Sequence, residues 1–410
     1  MKNASTLMPS DGQSVSASQV QQRTSFEVLG VISASHLLND MIQSLMIAVY
    51  PIFKGSMHLS FWQLGFVTLA YQLTASLLQP FVGLYTDRRP QPYSLPIAMA
   101  FSLCGLLFLS RAGSFPGLVF AAMLVGTGSS VFHPESSRVA RMASGGRHGL
   151  AQSIFQVGGN TGSALGPLLA AIIIVPHGQG SIAWFALAAV LAMILLLQAS
   201  RWYGAQMALN QRRKAVLAAH GQLNVRKVSF AIGILLVLIF SKYFYVASIS
   251  NYLMFYLMGK FGISLQAAQM QLFIFLAAMA AGTMVGGPLG DKIGRKAVIW
   301  FSILGVAPFT LALPYANLTG TTILVVVIGL IISSAFSAIL VYAQELIPGR
   351  VGMVSGLFFG FAFGMGGIGA ATLGWLADHH GISEVYRLCA YLPLLGIVAV
   401  FLPRQPSRAG

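Results

Sequence analysis

Twelve stretches of the chain are apolar and nearly free of charge, each close to the roughly 20 residues that an α-helix needs to cross a bilayer. They fall near 26–53, 61–84, 93–111, 116–137, 150–175, 181–200, 228–258, 266–289, 297–315, 321–346, 351–377 and 384–402. The longest polar break, 201–227, carries Arg201, Arg212, Arg213, Lys214, Arg226 and Lys227 and divides the segments six and six. The pattern predicts an all-α membrane protein with two bundles of six helices, 26–200 and 228–403, joined by a cytoplasmic linker over 201–227. Residues 1–25 are polar, rich in Ser and Gln, and lack an apolar core or cleavage site, so they read as a disordered cytoplasmic tail. Residues 404–410 form a second short tail.

Composition narrows the class further. Of 410 residues, 56% are hydrophobic and 8% charged, against about 45–50% and about 25% in soluble globular chains. An ordinary soluble enzyme is excluded, and the mean hydropathy of +0.76 excludes a disordered chain. The net charge of +15 does not require a nucleic-acid partner, because cytoplasmic loops of membrane proteins collect Lys and Arg. With both termini in the cytoplasm, 19 of the 24 basic residues lie on that face. Lys54, Arg111, Lys260 and Arg387 lie on the other, and Lys242 lies inside the seventh segment. Cys104 and Cys389 sit in apolar runs, which leaves no disulfide framework and no Cys-based metal set.

The halves repeat one another. Gly83-Leu-Tyr-Thr-Asp87-Arg88 recurs 204 residues later as Gly287-Pro-Leu-Gly-Asp291-Lys292. Gly146-Arg147-His-Gly149 recurs 203 residues later as Gly349-Arg350-Val-Gly352, and Gly166 falls on Gly369 at the same offset. Two independent motifs at nearly one spacing indicate a duplicated six-helix unit.

Gly287-Pro-Leu-Gly-Asp291-Lys292-Ile-Gly294-Arg295-Lys296 resembles the signature loop of the major facilitator superfamily, and the first copy departs from it after Arg88. Gly162-Ser-Ala-Leu-Gly166-Pro167 is similar to the antiporter motif of drug-exporting members, with Ala170 and Ala171 where glycines are usual. Ala122 stands where those exporters carry an Arg in helix 4. Ser35-His-Leu-Leu-Asn-Asp-Met-Ile-Gln-Ser44, the run Gly126 to Arg138, Ser241-Lys-Tyr-Phe-Tyr245 and Gly360 to Gly367 resemble the bacterial fosmidomycin resistance family. The resemblance implies a multi-pass protein of the bacterial inner membrane, a proton-coupled exporter of drugs such as phosphonate antibiotics, without cofactor and monomeric.

Charge at membrane depth costs roughly 2.5–3.5 kcal/mol on insertion scales, so each such residue needs a reason. His36, Asp40 and Gln43 share one face of helix 1. Lys242 lies mid-helix 7, and its repeat counterpart is Asn39. An acid from one half and a base from the other thus project toward the interface between repeats, where transporter sites form. One reading makes Lys242 the anchor for an anionic substrate and Asp40 a protonatable partner; the other makes them a buried neutralising pair. Glu135 and His133 end helix 4 and are candidates for proton coupling, or Glu135 pairs structurally with Arg138 or Arg141. Gln156, Asn160 and Tyr243 are candidate cavity residues.

Other polar residues read as architecture. Asp87 and Asp291 are placed to cap the helix N-termini near Arg350 and Arg147. By the family resemblance Glu345 meets Arg295 in a gating network. Gly158, Gly159, Gly162, Gly166, Gly364, Gly366, Gly367 and Gly369 suit close helix packing and bending. Asp378-His379-His380 and Glu384 read as a solvated loop, so no metal is expected.

The absence of a Gly-x-x-x-x-Gly-Lys-Ser/Thr loop argues against ATP as driver. No nucleophile is paired with His36-Leu-Leu-Asn-Asp40 or His133-Pro-Glu135, which argues against an enzyme. A secondary transporter remains, with a fosmidomycin-like drug or a natural phosphorylated metabolite as its substrate.

Overall fold

The computed structural model describes residues 24–59, 61–214 and 225–403. Most of the tail 1–25, the middle of the linker and the tail 404–410 lie outside the described residues. Helices occupy every segment that the apolar pattern marks: α1 (26–57), α2 (Phe61–Arg88), α3 (Ser94–Arg111), α4 (Phe115–Met142), α5 (148–177) and α6 (179–214) in the first half. The second half holds α7 (Val225–Phe261), α8 (Leu265–Ile293), α9 (295–315), α10 (318–346), α11 (Val351–His380) and α12 (382–401).

Helices run beyond the apolar segments at the linker, where α6 reaches Lys214 and α7 begins at Val225. Hydropathy marks only the part in lipid, and the Ala, Met, Leu, Gln and Arg that follow Arg201 are good helix formers in water as well. Local signals set the ends. Ser264 and Asn317 accept hydrogen bonds from the N–H of Ala267 and Gly320 and so cap α8 and α10. Gly294 ends α8 at φ 94°, which only glycine adopts without strain, and the chain turns there directly into α9.

Packing follows the duplication. α1 lies against α5 and α6, as α7 lies against α11 and α12; α2 packs on α4, as α8 packs on α10. Between halves, α2 meets α11 and α5 meets α8. Glycines make these approaches close. A Cβ at Gly158 or Gly162 would stand 2.0 or 2.1 Å from a carbonyl oxygen of α1. Gly83 meets the backbone of Gly352, and Gly149 meets that of Gly287, so the two crossings between halves are equivalents under the 203–204-residue repeat.

The α2–α11 crossing widens along its length. A Cβ would lie 2.0 Å from its opposing atom at Gly83, 2.2 Å at Gly356, 2.4 Å at Gly360 and 3.7 Å at Gly367, with nothing within 4 Å at Gly364 or Gly366. The backbones of α2 and α11 are therefore closest at the end carrying the signature motifs. Gly364 and Gly366 do not serve close packing, contrary to the expectation from their spacing: a run of small residues says nothing of what faces it. Gly162→Ala must push α1 from α5 against backbone atoms, an overpacking penalty of about 1–3 kcal/mol. We expect a lowered melting temperature in detergent for Gly162→Ala and an unchanged one for Gly364→Ala.

Candidate functional site

α1, α4 and α5 build a buried polar cluster in the first half. Asp40 projects from α1 between two imidazoles, with His36 Nε2 3.3 Å from Oδ2 and His133 Nε2 3.4 Å from Oδ1. Asn39 Nδ2 and Gln43 Nε2 donate to Oδ1 at 3.0 and 3.3 Å. Gln43 is fixed in turn by Tyr71, whose hydroxyl donates to Oε1, and by Ser129 at 3.3 Å. Gly159 of α5 leaves room for the pair: a Cβ there would stand 2.5 Å from His36 Nε2. The sequence placed His36, Asp40 and Gln43 on one face, and their spacing is enough to show it. That His133 joins them follows only from the packing of α4 on α1.

The outer nitrogens of both rings are committed to backbone. His36 Nδ1 lies 2.8 Å from the Phe155 carbonyl, and His133 Nδ1 lies 3.0 Å from the Ser129 carbonyl. A carbonyl only accepts, so each Nδ1 carries the hydrogen. Each Nε2 is thereby left facing the Asp40 side, where the ring can hold or release a proton beside the carboxylate.

Lys242 of α7 is 3% exposed and makes no ion pair or hydrogen bond among the described residues. Its ammonium lies over the rings of Tyr243 and Phe336, 5.2 and 5.4 Å from their centroids. The buried Asp40–Lys242 pair, the alternative left open by the sequence, does not form; Asp40 turns to the imidazoles instead. Aromatic rings connect the two charges across the halves: Phe336 touches Phe359, and Phe359 and Phe363 of α11 touch His133. Among the described residues Gln156 Oε1 is buried with no hydrogen-bond partner, whereas Asn160 of α5 donates to Thr283 of α8 at 2.9 Å.

Glu135 belongs to a different network. It is fully buried, accepts from Thr86 Oγ1 at 2.6 Å, and lies 3.3 Å from Arg138. Tyr203 of α6 donates to its other oxygen at 3.4 Å. Arg138 also donates to Asp87 at 2.6 Å, and Asp87 accepts the N–H groups of Gly352 and Met353 at 2.9 and 2.8 Å. These are the unsatisfied donors that open α11, so the carboxylate sits where the helix dipole favours it. The repeat does the same on the other side, where Asp291 accepts from Gly149 and Leu150 at 3.0 Å. Arg295 lies 3.1 Å from Asp291 and 3.0 Å from Glu345. Arg88, Arg147 and Arg350 form no described ion pair, and the side chain of Pro167 lies outside the described residues.

One set of contacts escaped the sequence reading. Ser137 of α4, Gln344 of α10 and Ser355 of α11 close a buried hydrogen-bonded ring across the halves, to which Gln152 of α5 is joined by accepting from Ser137 and Arg141 by donating to Gln344 at 3.1 Å. Uncharged residues in apolar runs raise no flag, yet the offset of 203 superposes Arg141 on Gln344 and Gln152 on Ser355.

Helices over all twelve apolar segments, nine of them long and apolar enough to span a membrane among the described residues, two equivalent bundles, glycine-lined crossings and buried charges in each half make up the architecture of a membrane transporter. The chain belongs to the Major Facilitator Superfamily, whose model matches residues 32–259 and 234–410. It is 64% identical over 401 residues to the fosmidomycin resistance protein of Escherichia coli strain K12, covering 98% of each chain. It is 43% identical over 382 residues to the MFS-type transporter YfnC of Bacillus subtilis strain 168, covering 93% of each. The fold is that of the proton:xylose symporter XylE, with a TM-score of 0.70 at 15% identity over 92% of this chain and 96% of that one. The fucose:proton symporter FucP of E. coli superposes with a TM-score of 0.69 at 12% identity, over 93% and 100%. Membership in this transporter family sets enzymatic function aside.

Proposed function

We propose that the chain is a proton-coupled antiporter that exports fosmidomycin-like phosphonates and related amphipathic anions by alternating access. The observation that carries this reading is Lys242: a buried ammonium with an aromatic wall and, among the described residues, no acidic partner, joined through Phe336, Phe359 and Phe363 to the acid–imidazole cluster of the other half. Lysine receives an anion as a point charge, and the rings of Tyr243 and Phe336 suit the apolar part of an amphipathic substrate. The relative whose name records fosmidomycin resistance supports the choice of drug.

In this reading both termini and the signature motifs are cytoplasmic, and the joined end is the closed inner gate. Substrate binds Lys242 from the cytoplasm, the halves rock, and protonation at Asp40, held by His36 and His133, promotes release and reset. Glu135 is a second candidate carrier, placed behind the gate. Expelling an anion from a negative interior gains about 2.3 kcal/mol per charge per 100 mV, and an entering proton gains as much. One proton per anion is then sufficient.

Lys242→Gln should weaken phosphonate binding to purified protein by roughly tenfold or more, the loss of one charge-assisted contact; unchanged affinity by calorimetry refutes the anchor. Counterflow in proteoliposomes with a panel of phosphonates and sugar phosphates, with and without a pH gradient, tests the function. Exchange confined to sugar phosphates replaces the drug with a phosphorylated metabolite, and exchange insensitive to the gradient removes the proton.

A further inference from the structure

The cluster around Asp40 has donors for more than a proton. Among the described residues His36 Nε2 and His133 Nε2 are buried and complete no hydrogen bond, although they lie 3.3 and 3.4 Å from the two Asp40 oxygens. With the Asp40 oxygens they form a set of ligand atoms within 4.8 Å of one another. Among the described residues no other three His, Cys, Asp or Glu side chains converge in this way. We propose that His36, His133 and Asp40 constitute a binding site for a divalent transition-metal ion of the zinc class.

Four features support the assignment. First, the spacing is close to that of a ligand set: two ligands at about 2.0–2.1 Å from a tetrahedral centre stand about 3.3–3.4 Å apart, each imidazole Nε2 lies 3.3 or 3.4 Å from one or the other Asp40 oxygen, and the three ligand atoms together lie within 4.8 Å, a set that a small side-chain movement closes around an ion. Second, the rings are oriented as ligands. Each Nδ1–H is held by a backbone carbonyl, the outer contact that fixes a metal-binding histidine in the tautomer whose Nε2 lone pair is free. Third, the carboxylate is positioned by Asn39 and Gln43 rather than consumed by a cationic side chain. Fourth, Gly159 keeps a Cβ out of the space beside His36 Nε2. Two imidazoles and one carboxylate suit zinc, cobalt or nickel and do not suit magnesium or calcium, which prefer all-oxygen shells. Three protein ligands leave the fourth position open to water or to an oxygen donor in the cavity, and the partial exposure of Asp40 provides the access.

The site uses the same three side chains as the proposed proton site but stands without it, since it is read by binding alone. Purified full-length protein, stripped with chelator, is titrated with ZnCl2 by calorimetry and with CoCl2 by visible absorption. The expected result is one equivalent per chain and the intense d–d bands of four-coordinate Co2+. His36→Gln and His133→Gln each weaken zinc binding by at least about a hundredfold, the upper range for losing even an outer contact of a ligand. His36→Cys retains binding with a thiolate charge-transfer band added to the Co2+ spectrum. Lys242→Gln leaves the zinc isotherm unchanged, and a monodisperse size-exclusion peak with the parent's melting temperature shows that the histidine variants are folded. Absence of stoichiometric binding to the parent protein, or an isotherm untouched by both histidine substitutions, overturns the proposal. A protein that binds zinc but exports without regard to pH keeps the metal site and loses the proton; the converse result does the reverse.

Discussion

Asp40→Asn yields a folded transporter that no longer converts a pH gradient into a substrate gradient. A pH difference of one unit is worth about 1.4 kcal/mol per proton, enough to sustain roughly a tenfold substrate ratio. In the variant that ratio falls to one, while counterflow driven by substrate alone persists. The physical reason lies in the cluster. An amide is nearly isosteric with the carboxylate, so Asn39, Gln43 and the two imidazoles keep their places, but it is uncharged and takes up no proton. The measurement is phosphonate accumulation in proteoliposomes under an imposed gradient, with resistance of cells expressing the variant as a second readout; normal pH-driven accumulation refutes the assignment.

A second large effect is expected at Arg138. Its guanidinium donates to the Thr86 carbonyl and hydroxyl, to Tyr203 and to Asp87, and it neutralises Glu135, which has no exposure at all. Removing one partner of a buried pair leaves an uncompensated charge and costs about 3–5 kcal/mol, whereas replacing both by apolar groups is often neutral. Arg138→Leu should therefore fail to accumulate as folded protein. Arg138→Leu combined with Glu135→Leu should recover a monodisperse peak on size-exclusion chromatography, with the joint at Asp87 loosened. Equal loss in the single and double variants refutes this account of the network.

Much of the architecture was legible in the sequence because lipid imposes a simple rule: a spanning helix must be apolar over a fixed length. The same rule made Asp40, Glu135 and Lys242 conspicuous. It carried no information on their partners. That His133 meets Asp40 while Glu135, two residues on, turns to Arg138 and Thr86 depends on the rotation of α4 against α1 and α2, which spacing along one helix cannot reveal. The caps by Asp87 and Asp291 could be anticipated because each sits opposite a helix start in a repeated motif. The ring of Ser137, Gln344 and Ser355 could not, because hydropathy treats such residues as neutral. Superposing the halves at 203 residues is the signal that would have exposed it.

The two joints between the halves, alike in backbone, differ in their dielectric surroundings. Behind Asp87, Arg138 and Glu135 are 7% and 0% exposed; behind Asp291, Arg295 and Glu345 are 15% and 16% exposed. Dissolved ions screen charges that face water over a Debye length of about 8–10 Å near physiological strength and leave buried pairs nearly untouched. Salt thus acts on one joint and spares the other. A structure built by duplication has become asymmetric in its response to the medium: added salt weakens the ion pairs of Arg295 more than those of Arg138.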